Sequence, residues 1–167
     1  MKAASTVRSL LVAVLFCATM TAGAAIAERP LTAESFDTTL ADAHRIAARQ
    51  SGLSVLKVEG RSMLPFFGEG SVLVVKRIEV SSLRAGMVVA YKNRFGEMVA
   101  HRLIEEKAGG WVAQGYNNRK ADSTLVNADN LLGVVYITLH SNGQTENAGA
   151  VALLMTNTAT VLAAAAK

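Results

Sequence analysis

The chain has 167 residues and a net charge of +4, the length of one domain with enough material to bury a core. Two of its positive charges, Lys2 and Arg8, lie in a stretch of 27 residues that holds no acid, so the remainder sits near +2. That is too little, with no Lys/Arg cluster interleaved with aromatics, to argue for nucleic acid.

Lys2 and Arg8 precede an apolar run, Ser9-Leu10-Leu11-Val12-Ala13-Val14-Leu15-Phe16-Cys17-Ala18, which gives way to small residues ending Ala25-Ile26-Ala27. A positive n-region, an apolar h-region and an A-x-A site make the pattern of a secretory signal peptide. An uncleaved anchor fits the same stretch, because Ser9 to Ala27 supplies 19 uncharged residues, just enough to span a bilayer. Both readings place residues 28 onward outside the cytoplasm: on the outer face of the membrane, in a periplasm, or extracellular. Cys17 is not a lipoprotein cysteine, since the bulky Phe16 stands where a small residue is wanted. It is also the single cysteine, so the exported part is expected to carry neither disulfide nor thiol chemistry.

Residues 28–52 read as a helical lead-in. Phe36, Leu40, Ala43 and Ala47 recur at helical spacing, with Thr32 as the expected N-cap and Gly52 as the stop. Residues 53–140 read as mainly antiparallel β, with strands at 53–59, 71–77, 86–92, 97–106, 110–115 and 131–139. The turns between them include Asn93-Arg94-Phe95-Gly96 and Gly109-Gly110. Residues 148–166 are uncharged and end before Lys167. They are expected to form an apolar C-terminal helix, either packed on the domain, frayed, or membrane-associated with its lysine inside.

Val58-Glu59-Gly60-Arg61-Ser62-Met63-Leu64-Pro65 leaves a strand and enters a bend. Neither a solvent turn nor a buried strand accounts for Arg61, Met63 and Pro65 together, and the pattern suggests a serine held at the bend. A serine hydroxyl attacks only when a positioned base takes its proton and donors stabilise the oxyanion. Of the three histidines, His44 lies in the first helix and His140 closes the last strand beside a turn, both expected to be solvated. His101 alternates on one strand face with Val99 and Leu103. A histidine so placed is commonly a satisfied core residue, and on the residues alone that reading stays open. No second His, Cys or acid stands at metal-ligand spacing on this strand, so no metal is expected. Asp122, in a polar loop, either orients the imidazole or serves an ordinary Asx turn.

The order of these pieces resembles the type I signal peptidases, membrane-bound serine endopeptidases that remove signal peptides. Gly60-Arg61-Ser62-Met63-Leu64-Pro65 resembles their nucleophile box, and Gly86-Met87-Val88-Val89-Ala90-Tyr91 the strand that follows, with Met87 where Asp is usual. His101-Arg102 resembles the general-base box. Gly115 to Asp122-Ser123, then Val126-Asn127-Ala128-Asp129-Asn130-Leu131-Leu132-Gly133, resembles the last conserved-order segment of that family. Most bacterial members have Lys at the base position; His101 is similar to the endoplasmic-reticulum type. The resemblance implies Ser62 as nucleophile, His101 as general base and Asp122 as third member, with the Ser62 backbone N–H in the oxyanion hole. It implies a mainly β, signal-peptidase-like antiparallel fold, a polypeptide substrate cut after small residues (Ala-x-Ala type), a membrane nearby and no cofactor. Met63, Leu64, Pro65 and Phe66, with Phe67, would line the substrate groove or face the bilayer, core packing being the plain alternative for the two phenylalanines. A free imidazole titrates at about 6.5, so the rate is expected to rise through roughly pH 6 to 7 and then level.

Two positions depart from the resemblance. Gly60 stands where many members have a hydroxyl that helps bind the oxyanion, and Tyr116 stands where an acid is expected. A catalytically weak relative that uses the groove to bind a peptide or protein is therefore the second reading. Related self-cleaving repressors share a glycine two places before the nucleophile, but they carry Lys as base.

Overall fold

The computed structural model describes residues 28–145 and the backbone of 159–162. The expected signal or anchor segment, 1–27, lies outside the described residues.

Helix α1 (Phe36–Ala47) is followed by strands β1 (Leu53–Glu59), β2 (Val72–Lys76), β3 (Val88–Lys92), β4 (Met98–Lys107), β5 (Gly110–Gln114), β6 (Leu131–Leu139) and β7 (Ala159–Leu162). The cap of α1 is Ser35, three residues later than Thr32: its Oγ accepts from the Thr38 N–H at 3.2 Å. Thr32 instead donates to the His140 carbonyl, tying the lead-in to the end of β6. Gly52 does mark the exit, with φ +79°, a conformation that glycine enters without steric cost.

The strands run in the order β3-β6-β2-β1-β7-β4-β5, and a further β3–β4 pairing joins the ends into a closed sheet with β5 as an outer hairpin partner of β4. Every neighbouring pair is antiparallel except those of β7, which runs parallel to both β1 and β4. Antiparallel neighbours follow from short connections such as Asn93–Gly96, where a strand turns straight back on itself.

Alternation along β1 and β2 explains the unbroken apolar run Val72-Leu73-Val74-Val75. Val55, Val72 and Val74 face α1 and pack on Phe36, Leu40 and Ala43. Leu56, Val58, Leu73 and Val75 face the opposite way, with Met63, Phe67, Ala90 and Ala100. Both faces of this central pair are covered, so neither needs polar residues. A third cluster, Leu83, Val89, Tyr91, Val99, Leu103, Trp111, Ala113 and Val126, fills the space between β3, β4 and β5.

Within the segment expected to be helical, residues 159–162 form strand β7. Residues 148–158 and 163–166 lie outside the described residues. Thr160 and Val161 are β-branched, which favours extended backbone, and the edge of β1 supplies the hydrogen-bonding partner. Among the described residues no helix is long and apolar enough to cross a membrane. His140 is partly buried rather than solvated: its Nδ1 lies 3.3 Å from the Ser71 Oγ. Burial, and secondarily the charge of Arg29, push its pKa below the ordinary value.

Candidate active site

β1 ends at Glu59, and Gly60 turns the chain with φ +91°. This is the physical reason for a glycine at this place: a Ser or Thr here would hold a left-handed backbone at a cost of about 1 kcal/mol or more. The Gly60 carbonyl accepts from the Glu69 N–H (3.0 Å), closing the loop that carries Ser62. From the other side the Gly115–Asn118 turn straps the loop down. The Asn117 N–H donates to the Ser62 carbonyl (2.8 Å) and its side-chain Nδ2 to the Arg61 carbonyl (3.1 Å). The nucleophile candidate is thus held by backbone bonds on two sides.

His101 lies on β4, three residues into the strand, on the face it shares with Val99 and Leu103, and it is completely buried. Its Nε2 lies 2.8 Å from the Ser62 Oγ. Its Nδ1 lies 2.5 Å from Asp122 Oδ2. Asp122 follows β5 and is fixed by its own N–H, which donates to the Ala113 carbonyl at 2.8 Å. A carboxylate facing Nδ1 holds a proton on that nitrogen and leaves Nε2 as the acceptor for the serine hydroxyl. The three residues singled out in the sequence therefore meet in one hydrogen-bonded series, Ser62–His101–Asp122.

Two contributors were not singled out as site residues. The Tyr91 hydroxyl donates to the same Asp122 Oδ2, at 2.5 Å. Burial, then the Asp122 charge and this hydrogen bond, raise the Tyr91 pKa far above the usual phenol range, so it remains a donor. The signal in the sequence was a tyrosine on the inward face of β3, two residues beyond Val89, with a polar tip that needs a partner when buried. Gly115 is the second. A Cβ built there would lie 2.6 Å from the Ser62 carbonyl oxygen and 3.0 Å from His101 Nε2, so only a glycine admits this approach of loop to dyad.

Its bond to Asp122 makes Tyr91 a candidate positioning residue. Tyr91→Phe keeps the ring and its packing but removes a hydrogen bond to a charged group, worth about 1.5–3 kcal/mol in general. The expected result is a roughly tenfold or larger fall in kcat with KM little changed, beside a Tm lowered by several degrees. Steady-state kinetics beside a thermal melt checks it. A fall in Tm with kcat intact would make the contact structural alone.

The residues expected along the groove divide. Met63 and Phe67 are buried in the interior cluster, yet with Phe66, Tyr116, Val88 and Val135 they also border a cavity of about 440 Å³. Leu64 is buried and borders a different cavity, beside Arg29 and Glu69. Pro65 is exposed and borders neither. Met63 and Phe66 thus share a cavity that neither Leu64 nor Pro65 borders. A larger cavity, about 760 Å³, is bordered by β1, β2 and the Ile78–Val80 segment and includes none of Ser62, His101 or Asp122. Size alone therefore does not mark the site; the convergent polar groups do.

Tyr116, at the position where the resemblance expects an acid, packs against Phe66 with ring centroids 4.3 Å apart and ring planes tilted by 47°. The Arg102 guanidinium sits 4.4 Å over the same ring, so an aromatic face takes up the cation.

Ser62, His101 and Asp122 thus form one hydrogen-bonded series within a small closed β domain. The chain matches the family model for Peptidase S24-like proteins over residues 15–135, and it belongs to that family, which supports a peptidase-type function. No curated protein and no solved structure matches it.

Proposed function

We propose that this protein is a serine endopeptidase of signal-peptidase type, cutting exported or membrane-held polypeptides after small residues. The observation that supports it is the series Ser62 Oγ–His101 Nε2 (2.8 Å) and His101 Nδ1–Asp122 Oδ2 (2.5 Å). The small-residue preference rests on the resemblance of the four ordered motifs. Export of residues 28 onward, and a place at the outer membrane face or beyond it, rest on the pattern of residues 1–27.

In this mechanism His101 Nε2 takes the Ser62 proton as Oγ attacks the scissile carbonyl carbon. Asp122 offsets the imidazolium charge, and the Ser62 backbone N–H faces the oxyanion. His101 then gives the proton to the leaving amine. Water, activated by the same nitrogen, hydrolyses the acyl ester and frees Ser62.

One observation favours the second reading, a peptide-binding relative of little catalytic power. Gly60 offers no hydroxyl to the oxyanion, and a missing donor can cost about a hundredfold or more. The deciding experiment incubates the protein and its Ser62→Ala variant with a peptide containing Ala-x-Ala, with mass spectrometry of the products. Cleavage after the second Ala by the parent and none by the variant is the expected result. Intact peptide with both proteins properly folded would give the binding reading the lead.

A further inference from the structure

β7 lies between the two strands that bring the reactive pair together. Val58 of β1 and Met98 of β4 both pair with Val161, which sets the three strands level at that point. Four residues beyond Val58 is Ser62, and three beyond Met98 is His101. All three strands are parallel, so β7 runs toward the Ser62–His101 pair. Its register with β1, from Leu56↔Ala159 to Glu59↔Leu162, extends to the last residue before the nucleophile turn. Without β7, these positions of β1 and the start of β4 would present unpaired backbone groups facing one slot, which is the place for an added strand. The dyad itself is closed off: Ser62 is 2% exposed and His101 0%.

We propose that β7 is a tethered occupant of the peptide-binding slot, so that an extended polypeptide enters between β1 and β4 only by displacing the protein's own C-terminal strand. The inference rests on the reading of this site as one that takes an extended peptide. The chain continues past β7 as Ala163-Ala164-Ala165-Ala166-Lys167, small side chains of the kind proposed above for selection. Tethering places the segment at an effective concentration in the millimolar range. When it fills the slot nine-tenths of the time, the apparent affinity for an added peptide falls about tenfold.

The test is binding, in the full chain carrying Ser62→Ala, so that it stands apart from catalysis. The probe is a fluorescently labelled synthetic peptide of residues 156–167, followed by anisotropy. A second form adds Thr160→Pro and Val161→Pro, which remove two backbone donors from β7. The proline form should bind the probe about tenfold or more tightly than its parent. Equal affinities, or no binding by a folded proline form, would overturn the proposal. If circular dichroism shows the proline form unfolded, hydrogen exchange of its parent decides, with the probe added to saturation. Faster exchange at 159–162 with 53–58 still protected supports displacement, and unchanged protection at 159–162 overturns it. Absence of cleavage in the deciding experiment above, persisting when Thr160→Pro and Val161→Pro are introduced with Ser62 intact, beside displacement seen here, would give the binding reading the lead and leave this one standing.

Discussion

His101→Ala should lower kcat/KM by several orders of magnitude, on the order of a millionfold where residues of such a triad act as a unit. The reason is positional. Among the described residues His101 is the one side chain hydrogen-bonded to both Ser62 and Asp122, and none of them replaces Nε2 as the proton acceptor once the ring is gone. Ser62→Ala combined with His101→Ala is expected to cost no more than either alone, because each removes the same step. Asp122→Ala should cost less by about two orders of magnitude, since the base and nucleophile survive it. Asp122→Asn should be milder still. Both bonds to Asp122 go to Oδ2, and an amide can set its oxygen there, keeping both acceptor contacts while losing the charge. Kinetics of the five variants against one Ala-x-Ala peptide checks the ordering. Equal loss for Asp122→Asn and His101→Ala would mean the carboxylate does more than orient and offset.

Much of this site was legible because its parts are local. A serine at a glycine-led bend and an alternating strand with one polar inward residue can be read within ten residues of chain, and the strand spans follow from period-two alternation. Whether His101 was a ligand to Ser62 or a satisfied core residue was not decidable from β4 alone. The β1–β7–β4 pairings that bring it to Ser62 are long-range. The same limit hid Tyr91, whose hydroxyl meets Asp122 from a neighbouring strand, and it misplaced β7. Residues 148–166 are rich in alanine and leucine, which favours a helix locally, whereas the strand at 159–162 is drawn out by the edge of β1. Thr32 and Ser35 are both cap-forming types; the chain path decided for Ser35. Gly60 shows the opposite case, a departure from the resembled pattern that becomes intelligible once its positive φ is seen.

Gly115→Ala should reduce kcat about a hundredfold or more while leaving a folded protein. The added methyl would sit 2.6 Å from the Ser62 carbonyl, 3.0 Å from His101 Nε2 and 3.0 Å from Asn118 Nδ2. The first distance is against backbone, which yields least, so the strap and the nucleophile turn must separate by a large fraction of an ångström. Misplacement of reacting groups by about 1 Å costs on the order of a hundredfold in rate. Overpacking of a close contact costs about 1–3 kcal/mol of stability, measurable as a lower Tm. The strap also carries the Asn117 bonds to Arg61 and Ser62, so Asn117→Ala offers a control that loosens the same turn without pushing on the imidazole. It removes the side-chain bond to Arg61 and keeps the backbone bond to Ser62, and its loss of kcat should be clearly smaller. If both substitutions lower Tm alike but spare kcat, the close approach at Gly115 serves packing, and the dyad tolerates more movement than its buried setting implies.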